Sequence, residues 1–372
     1  MRPSAARPGR PLLLRGDPYA RGRAQAARHP DLVDHVRHAV EHRLAETAAA
    51  LALPRVRDFI RAQHAFTAGH YPEILVEIDG IADGFGLPAA TVFDYLHCSS
   101  AADLAAQPGH DPDGCTAFAA SAPGGAIVAK NRDYRPQHVP IQQVMHHADP
   151  AWGGREIMVV GSLGSPGNFS SGINSDGLAL ADTASRTTDM GVGLHRYFLM
   201  TWLLVNCADV DAALAAIRRT PHTGSGLLVL GDATGAVAAV ELGHRAVGFE
   251  HRSSGRVGRT NHFVTPAMRR RNLHAPESAA SRANSEDRFG SLLPLLDGLD
   301  EPPDADAAGT LLGRHGATDA FCRHGGADLS TTIAGAVYLT AERRLLAVLG
   351  QPCRDTWQSY QLAGRQPGAD AR

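Results

Sequence analysis

The sequence changes character at Cys115, and this boundary constrains the fold more than any other feature of the chain. Residues 17–105 carry Ala-rich apolar positions at helical spacing, interrupted by glycine and proline. After Cys115, short apolar runs joined by turn residues predict strands and hairpins, with helical runs at 195–206 and 210–219 between two batches of them. Helices followed by hairpins predict a layered α+β fold rather than a doubly wound parallel sheet.

The same patterns divide the chain into four segments. Residues 1–16 are rich in Arg and Pro and are expected to form a disordered arm. Residues 17–114 form a helical segment, and residues 115–365 form the β-rich segment. Residues 366–372 are expected to be a disordered tail. With 372 residues and 44% hydrophobic side chains, the chain can bury a large core.

Charge and motif content exclude several classes of function. Lys and Arg number 36 against 38 Asp and Glu, so no overall attraction to nucleic acid or to an anionic membrane is expected. The apolar run at 197–205 is too short to span a membrane, and no signal peptide is evident, so the expected location is the cytoplasm. The sequence lacks the usual dinucleotide, P-loop, α/β-hydrolase and zincin motifs.

The cysteines and histidines do not suggest a metal centre. The 5 cysteines are widely spaced and include no C-x-x-C pair, which argues against a disulfide framework or a zinc ribbon. Among 19 histidines, His35, His38 and His42 share one helix face, and His146 and His147 are adjacent. Without a supporting Cys or carboxylate pattern, solvated histidines are expected, so neither a metal nor a cofactor is predicted. A zinc-dependent hydrolase that uses these histidines is kept as an alternative.

Cys115 stands where a polar loop meets a strand, which is unusual for an inert thiol. Gly114 can adopt strained backbone angles, and strain on the Gly114–Cys115 peptide favours attack by the thiol on its own upstream bond. Cleavage there would make Cys115 a new N-terminus. Its α-amino group, with a pKa of about 7.7–8.0, could serve as general base for its own thiol. The alternative is an ordinary thiol at the start of a strand.

A series of short motifs, in a fixed order along the chain, resembles one known family. The sequence is similar to the acyl-CoA:6-aminopenicillanate acyltransferase-like group of N-terminal-nucleophile hydrolases, which is related to the choloylglycine hydrolases. The motifs are DPYARG at 17–22, EIDGIADG at 77–84, DGCT at 113–116, AKNRDY at 129–134, GINSDGL at 172–178, TNHF at 260–263, CRH at 322–324 and the closing hairpin at 338–350.

The resemblance implies a fold and a reaction. It implies a four-layer αββα sandwich, with two antiparallel sheets face to face and helices outside, preceded by the helical segment. It implies cleavage between Gly114 and Cys115, which would give an α fragment 1–114 and a β fragment 115–372. It also implies amide or thioester chemistry through an acyl-enzyme on Cys115.

Two residues of the AKNRDY motif are candidates for the site. Asp133 follows Cys115 by 18 residues, at the end of the second strand of a hairpin, which brings it back beside the start of the first strand. A carboxylate there could hold the new α-ammonium group or the thiol; the alternative is a surface turn aspartate. Arg132 matches the choloylglycine-type pattern and could lower the pKa of the thiol. Strand alternation, however, points Arg132 away from Asp133.

Two asparagines are candidates for stabilising an oxyanion. Asn261 lies at the end of a strand in the TNHF motif, where a side-chain amide could donate to a tetrahedral intermediate. The alternative is a turn asparagine. Asn174 lies in a glycine-containing turn, where asparagine is common for conformational reasons alone. His262 could simply flank the site.

The sequence therefore predicts a self-processing cysteine N-terminal-nucleophile enzyme that acts on a small amide or thioester. Water would resolve the acyl-enzyme in a hydrolase and an amine would do so in an acyltransferase; hydrolysis is favoured because water needs no second pocket. Acyl-CoA enters only as a conceivable substrate, with the arginines at 269–271 as a weak docking candidate. An unprocessed, non-catalytic binding protein on the same fold is the alternative, and a homo-oligomer is left open.

Overall fold

The computed structural model describes residues 2–107, 114–273, 279–298, 303–325 and 330–365. The predicted tail at 366–372 and Asp113 of the DGCT motif lie outside the described residues.

The helices form an N-terminal series, a pair in the middle and two near the C-terminus. No helix in the described ranges is both long enough and apolar enough to cross a membrane. The helices are α1 (Pro18–Arg28), α2 (Val33–Leu51), α3 (Pro54–His70), α4 (Pro72–Phe85), α5 (Ala89–Leu96), α6 (Cys98–Ala105), α7 (Arg196–Asn206), α8 (Val210–Arg219), α9 (Ala279–Asp297) and α10 (Ala305–Leu312).

Two of the described strands lie in the N-terminal arm, and the others follow Cys115. They are β1 (Arg7–Pro8), β2 (Leu12–Arg15), β3 (Thr116–Ala122), β4 (Gly125–Tyr134), β5 (Gln142–Ala148), β6 (Glu156–Ser162), β7 (Ser171–Asn174), β8 (Ala179–Thr183), β9 (Leu227–Gly231), β10 (Val237–Leu242), β11 (Val247–Arg252), β12 (Arg256–Arg259), β13 (Thr331–Leu339), β14 (Arg344–Val348) and β15 (Gln358–Gln361).

Within the described residues the strands form two sheets. The seven-stranded sheet has the order β1-β15-β14-β13-β4-β3-β12, and the eight-stranded sheet has the order β11-β10-β9-β8-β7-β6-β5-β2. Pairing is antiparallel except where the arm joins, because β1 runs parallel to β15 and β2 runs parallel to β5. The β13–β4 ladder carries an irregularity between Thr332 and Ala334, opposite the end of β4.

Side-chain alternation along the strands assigns the layers. In β3, Ala117 and Ala119 belong to the apolar cluster between the sheets, whereas Phe118 packs with the α9 and α10 residues Leu292 and Leu312 outside the seven-stranded sheet. Helices α1–α8 pack on the outer face of the eight-stranded sheet in a third cluster. The predicted α+β fold, a four-layer αββα sandwich with a helical N-terminal segment, is confirmed.

Two of the sequence motifs explain how α1 and α4 pack. A Cβ atom on Gly22 would lie 2.3 Å from the Glu77 carbonyl oxygen, and one on Gly80 would lie 2.2 Å from the Tyr19 carbonyl oxygen. Only glycine therefore allows the two backbones to approach this closely. Arg21 closes the contact with a buried ion pair to Glu77 at 2.9 Å. The DPYARG and EIDGIADG motifs thus form one helix–helix contact.

The N-terminal arm differs from the disordered segment expected at residues 1–16. Residues 7–8 and 12–15 form edge strands, one on each sheet. Leu12 and Leu14 are buried and Leu13 is exposed, so even this short run alternates as a half-buried strand. The run is too short to indicate a strand by itself, and it is the pairing with β5 that orders it.

The histidines singled out in the sequence have different environments. His35 and His38 are exposed and His42 is half-buried, close to the solvated face that was expected. His146 lies 2.8 Å from Glu156. His147 is fully buried in β5, which differs from the expected solvated position.

His97, buried at the end of α5, makes the stability of the fold sensitive to acid. Its Nδ1 lies 2.8 Å from the Phe93 carbonyl oxygen, and burial lowers the pKa of His97 to about 4. The unfolded chain binds this proton near the ordinary pKa of about 6.5, so stability is lost as the pH falls from that value towards 4. Between pH 7 and pH 4.5, we expect the protein to lose about 2 kcal/mol more free energy of unfolding than a His97→Gln variant does.

Urea unfolding at the two pH values measures this difference, with Cys115→Ala as the background so that a single covalent species is compared. His35→Gln removes an exposed histidine and should leave the pH dependence unchanged. Equal pH dependence of the parent and His97→Gln chains would contradict the prediction.

Candidate active site

Cys115 lies immediately before β3, at the edge of the β3–β4 ladder. The ladder pairs Thr116 with Asn131, which places Cys115 beside the end of β4. The Cys115 Sγ atom lies 3.4 Å from the backbone nitrogen of Asp133 and 3.6 Å from its carbonyl oxygen. The side chain is buried. The structure therefore brings together the predicted nucleophile and the predicted carboxylate residue.

Gly114 is enclosed on the side where a Cβ atom would project. Such an atom would lie 2.2 Å from Nη1 of Arg323 and 2.7 Å from Oδ2 of Asp133. Real Cβ atoms do not approach other atoms so closely. A side chain at this position would therefore displace the Arg323 side chain, the Asp133 carboxylate or the Gly114–Cys115 peptide.

Asp133 is held from the neighbouring strand. The Thr332 hydroxyl donates to Oδ1 of Asp133 at 2.6 Å and accepts from the backbone N–H of Arg323 at 2.8 Å. Asp133 is almost fully buried. The irregularity at residues 332–334 lies beside this contact, as bulges often do near functional sites. The carboxylate is therefore oriented toward the Gly114–Cys115 peptide.

Arg288 of α9 completes the group, although it was not among the residues predicted from the sequence. Its Nη1 donates to the Cys115 carbonyl oxygen at 2.6 Å and to Oγ1 of Thr116 at 3.1 Å, and its Nη2 donates to Oδ1 of Asn261 at 2.9 Å. Burial lowers the pKa of Arg288 to about 10, while the nearby Asp133 and Cys115 act in the opposite direction. One guanidinium thus links the predicted nucleophile to the predicted oxyanion donor.

A sequence signal for Arg288 existed. The buried residues of α9 are Ser285, Arg288, Leu292 and Leu296, which follow helical spacing. An arginine on the apolar stripe of a helix is unusual unless it has a buried partner. The stripe could have identified Arg288 as a buried charge, although not its partners.

Asn261 is fixed from both ends of its amide. Its Nδ2 donates to the Ala184 carbonyl oxygen at 2.8 Å, while Oδ1 accepts from Arg288. An amide nitrogen carries two hydrogens, so the bond to Ala184 uses one of them. The neighbouring His262 has its Nδ1 2.8 Å from Oγ of Ser285, a contact that anchors the TNHF turn to α9.

Arg132 lies on the opposite face of β4 from Asp133, between the two sheets. Its Nη1 donates to Oε1 of Gln142 at 2.8 Å and to Oγ of Ser162 at 3.0 Å. Its guanidinium also lies 5.4 Å from the ring centre of Tyr134. These hydrogen bonds connect β4 of the seven-stranded sheet to β5 and β6 of the eight-stranded sheet.

Lys130, the only lysine of the chain, occupies the same inner face. It forms a buried ion pair with Asp182, whose other oxygen accepts from Arg196 at 2.9 Å. Lys130 and Arg196 share one buried carboxylate, so the inner face of the sandwich is strongly polar at this end.

Asn174 does not join the group around Cys115. Its Nδ2 donates to the carbonyl oxygens of Leu204 and Cys207 at 2.9 and 2.8 Å, and its Oδ1 accepts from the backbone N–H groups of Asp176 and Leu178. The side chain joins the β7–β8 turn to the end of α7. These are the contacts of a turn asparagine, so we leave Asn174 out of the proposed machinery.

Comparisons with known proteins identify the family of the chain and similar solved structures. It matches the family model described as acyl-coenzyme A:6-aminopenicillanic acid acyl-transferase over residues 121–354. No curated protein matches the chain. Among solved structures, the chain is similar to a mutant of the conjugated bile acid hydrolase from Clostridium perfringens, with 12% identity and a TM-score of 0.39, over 67% of this chain and 97% of that one.

It is also similar to penicillin V acylase from Agrobacterium tumefaciens, with 12% identity and a TM-score of 0.39, over 67% of this chain and 86% of that one. The family match begins after Cys115 and includes Asp133, Asn261 and Arg288, three members of the group described above. It extends over more than half of the chain. The chain therefore belongs to the acyl-coenzyme A:6-aminopenicillanic acid acyl-transferase family.

Proposed function

We propose that the chain is a self-processing N-terminal-nucleophile enzyme in which Cys115 attacks a small-molecule amide or thioester. The observation that supports this most is the environment of the Gly114–Cys115 peptide. The Cys115 thiol lies beside Asp133, Gly114 fits against Asp133 and Arg323 without room for a side chain, and Arg288 binds the Cys115 carbonyl oxygen.

The first step is cleavage of the chain. The thiolate of Cys115 attacks the carbonyl carbon of Gly114, and the C–N bond breaks as the nitrogen takes up a proton. Water then hydrolyses the resulting thioester, which leaves a carboxylate on Gly114 and restores the thiol. The new ammonium group on Cys115 lies beside the carboxylate of Asp133, because the Gly114 backbone already approaches that carboxylate closely.

Turnover would use the same groups. The α-amino group of Cys115 accepts the thiol proton and passes it to the leaving group of the substrate. The second N–H of the Asn261 amide stabilises the oxyanion, and Arg288 holds Asn261 in place from its oxygen. Water resolves the acyl-enzyme in a hydrolase, which we favour, and an amine resolves it in an acyltransferase. This chemistry needs no cofactor, and acyl-CoA would enter only as a substrate.

The two fragments would stay together after cleavage. Helices α1–α6 share one apolar cluster with the outer face of the eight-stranded sheet, and β2 pairs with β5. The processed protein is therefore expected to remain a single particle made of an α and a β fragment, which separate only on denaturation.

Intact-mass measurement of the purified chain tests the proposal. We expect two species of about 12 and 27 kDa, their shares of the 39.3 kDa chain by residue number, with Cys115 at the N-terminus of the larger one. Cys115→Ala should give a single uncut species, because no other group replaces the attacking thiol.

Cys207→Ala is the matched control, because Cys207 is another buried cysteine, on the outer side of the eight-stranded sheet. It should be cut like the parent chain. An uncut parent chain whose Cys115 also resists a small alkylating agent would contradict the proposal. That result would support the alternative of an unprocessed binding protein on the same fold.

A further inference from the structure

Four metal-ligating side chains from two connections of the chain converge outside the site described above. His315 follows α10, Cys322 and His324 precede β13, and Cys353 follows β14. One donor atom from each lies within 4.8 Å of the donor atoms of the other three. Within the described ranges, this is the one group of three or more His, Cys, Asp or Glu side chains so arranged.

The three distances among Cys322, His324 and Cys353 match the edges of a zinc tetrahedron. The two sulfur atoms lie 3.6 Å apart, and Nε2 of His324 lies 3.3 Å from Sγ of Cys353 and 3.8 Å from Sγ of Cys322. Zinc–sulfur bonds of about 2.3 Å and zinc–nitrogen bonds of about 2.0–2.1 Å place tetrahedral ligands about 3.3–3.8 Å apart. These three side chains can therefore bind one ion with little rearrangement, and His315, within 4.8 Å of them, must move closer to become the fourth ligand.

The donor set also selects the kind of metal. Two thiol and two imidazole groups are ligands for Zn²⁺ and other thiophilic ions, and they are poor ligands for Ca²⁺ or Mg²⁺. We propose that His315, Cys322, His324 and Cys353 bind one Zn²⁺ in a closed, four-coordinate site. The site was not predicted from the sequence, because Cys353 lies 29 residues from the nearest other ligand and the set contains no C-x-x-C pair.

The backbone around the group is already fixed. The Cys322 N–H donates to the Arg314 carbonyl oxygen at 3.1 Å, which joins the segment of His315 to that of Cys322. Nδ2 of Asn131 donates to the Phe321 carbonyl oxygen at 2.7 Å, which anchors the same segment to β4. Cys322 is buried, whereas both histidines are exposed, so an ion can enter from solvent.

The position of the site indicates that the ion would stabilise the segment beside the Gly114–Cys115 peptide. This role rests on the proposed function. Arg323 stands between two of the ligands, and its side chain lies against Gly114. Its backbone carbonyl and N–H both bond to Thr332, which in turn donates to Asp133. A bound zinc ion would hold this segment in place, so that Arg323 and Asp133 stay aligned with the Gly114–Cys115 peptide. Zinc would be structural and would take no part in the reaction.

Metal binding is tested on the full chain with Cys115→Ala as the background, so that the result does not depend on cleavage. The chain is stripped with a chelator, kept under a phosphine reductant and titrated with Zn²⁺ or Co²⁺ alone. We expect one metal ion per chain by elemental analysis. Bound Co²⁺ should show the visible bands of tetrahedral cobalt and a thiolate-to-cobalt charge-transfer band.

Ligand variants should remove these signals. Losing an outer-shell partner of a metal ligand weakens metal affinity about 10–100-fold. Cys353→Ser and His315→Ala each remove a ligand itself, so each is expected to weaken metal affinity about a hundredfold or more. His315 is exposed, so its replacement should not disturb folding. Cys207→Ser and His35→Ala are the matched controls and should bind metal like the parent chain.

Three results would overturn the proposal. They are metal uptake no greater in the parent than in Cys353→Ser, cobalt spectra without the charge-transfer band, and a Cys322–Cys353 disulfide that persists under the reductant. In the chain that retains Cys115, the cleavage rate should fall about tenfold on removal of zinc. Equal rates would overturn the positioning role of the ion, whereas an uncut chain that binds zinc would count against the proposed function alone.

Discussion

A Gly114→Ala chain is expected to remain largely uncut under conditions in which the parent chain is fully processed. The added methyl group would lie 2.2 Å from Nη1 of Arg323 and 2.7 Å from Oδ2 of Asp133, so the Arg323 side chain, the carboxylate or the peptide must move. Displacing reacting groups by about 1 Å can slow a reaction about a hundredfold. We expect a slowing of that order, measured as the appearance of the two fragments with time on a denaturing gel.

Gly69→Ala is the matched control for this prediction. Gly69 lies in α3, and a Cβ atom there would meet nothing within 4 Å. This variant should be processed at the parent rate. If Gly114→Ala is cut as fast as Gly69→Ala while both unfold at the parent temperature, the close fit of Gly114 has no part in processing, and the proposed cleavage geometry is wrong.

An Asn261→Ala variant is expected to lose most of its turnover while remaining folded. Removing one preorganised donor to an oxyanion typically lowers kcat by about 10²–10³, which corresponds to about 2.7–4 kcal/mol of transition-state stabilisation. Without the Asn261 oxygen, Arg288 also loses one acceptor. The measurement is hydrolysis of a panel of acyl p-nitroanilides and acyl thioesters by the processed protein, with thermal unfolding as the check on folding.

Asn174→Ala separates this role from a structural one. Asn174 satisfies two carbonyl oxygens and two backbone N–H groups at the β7–β8 turn and the end of α7, away from the group around Cys115. Its loss should lower the free energy of unfolding by about 1–3 kcal/mol and leave the turnover of the folded molecules unchanged. The opposite pattern, with turnover lost in Asn174→Ala and kept in Asn261→Ala, would exchange the two assignments.

Much of the fold could be predicted because most of its elements are regular and long enough to show their period. The closing hairpin named at 338–350 is present, with its strands at Thr331–Leu339 and Arg344–Val348. The arm could not be predicted, because Leu12–Arg15 forms a strand only when β5 supplies its hydrogen bonds. Local sequence does not encode an edge strand of this length.

The candidate site likewise contains residues that the local sequence could predict and residues that it could not. The hairpin pattern predicted Asp133 beside Cys115, because 18 residues suffice for two strands and a tight turn. Arg288 approaches from a helix 173 residues away along the chain, and no local pattern records such a contact. The proposed zinc ligands were missed because Cys353 lies 29 residues beyond His324 and on the far side of a hairpin. Asn174 shows that a residue of a family motif can also serve a turn, because its side chain accepts hydrogen bonds from the backbone of the β7–β8 turn.

The distribution of strands between the two sides of the Gly114–Cys115 bond has a consequence for folding. Residues before the bond supply an edge strand to each sheet, and residues after it supply the strands on which they pair. In a processed molecule, recovery from the denatured state would require two separate chains to find each other, so refolding would become second order in protein concentration. The midpoint of unfolding would then depend on concentration as well. The uncut precursor would be the only form able to refold at high dilution, which would make processing a one-way step that follows folding.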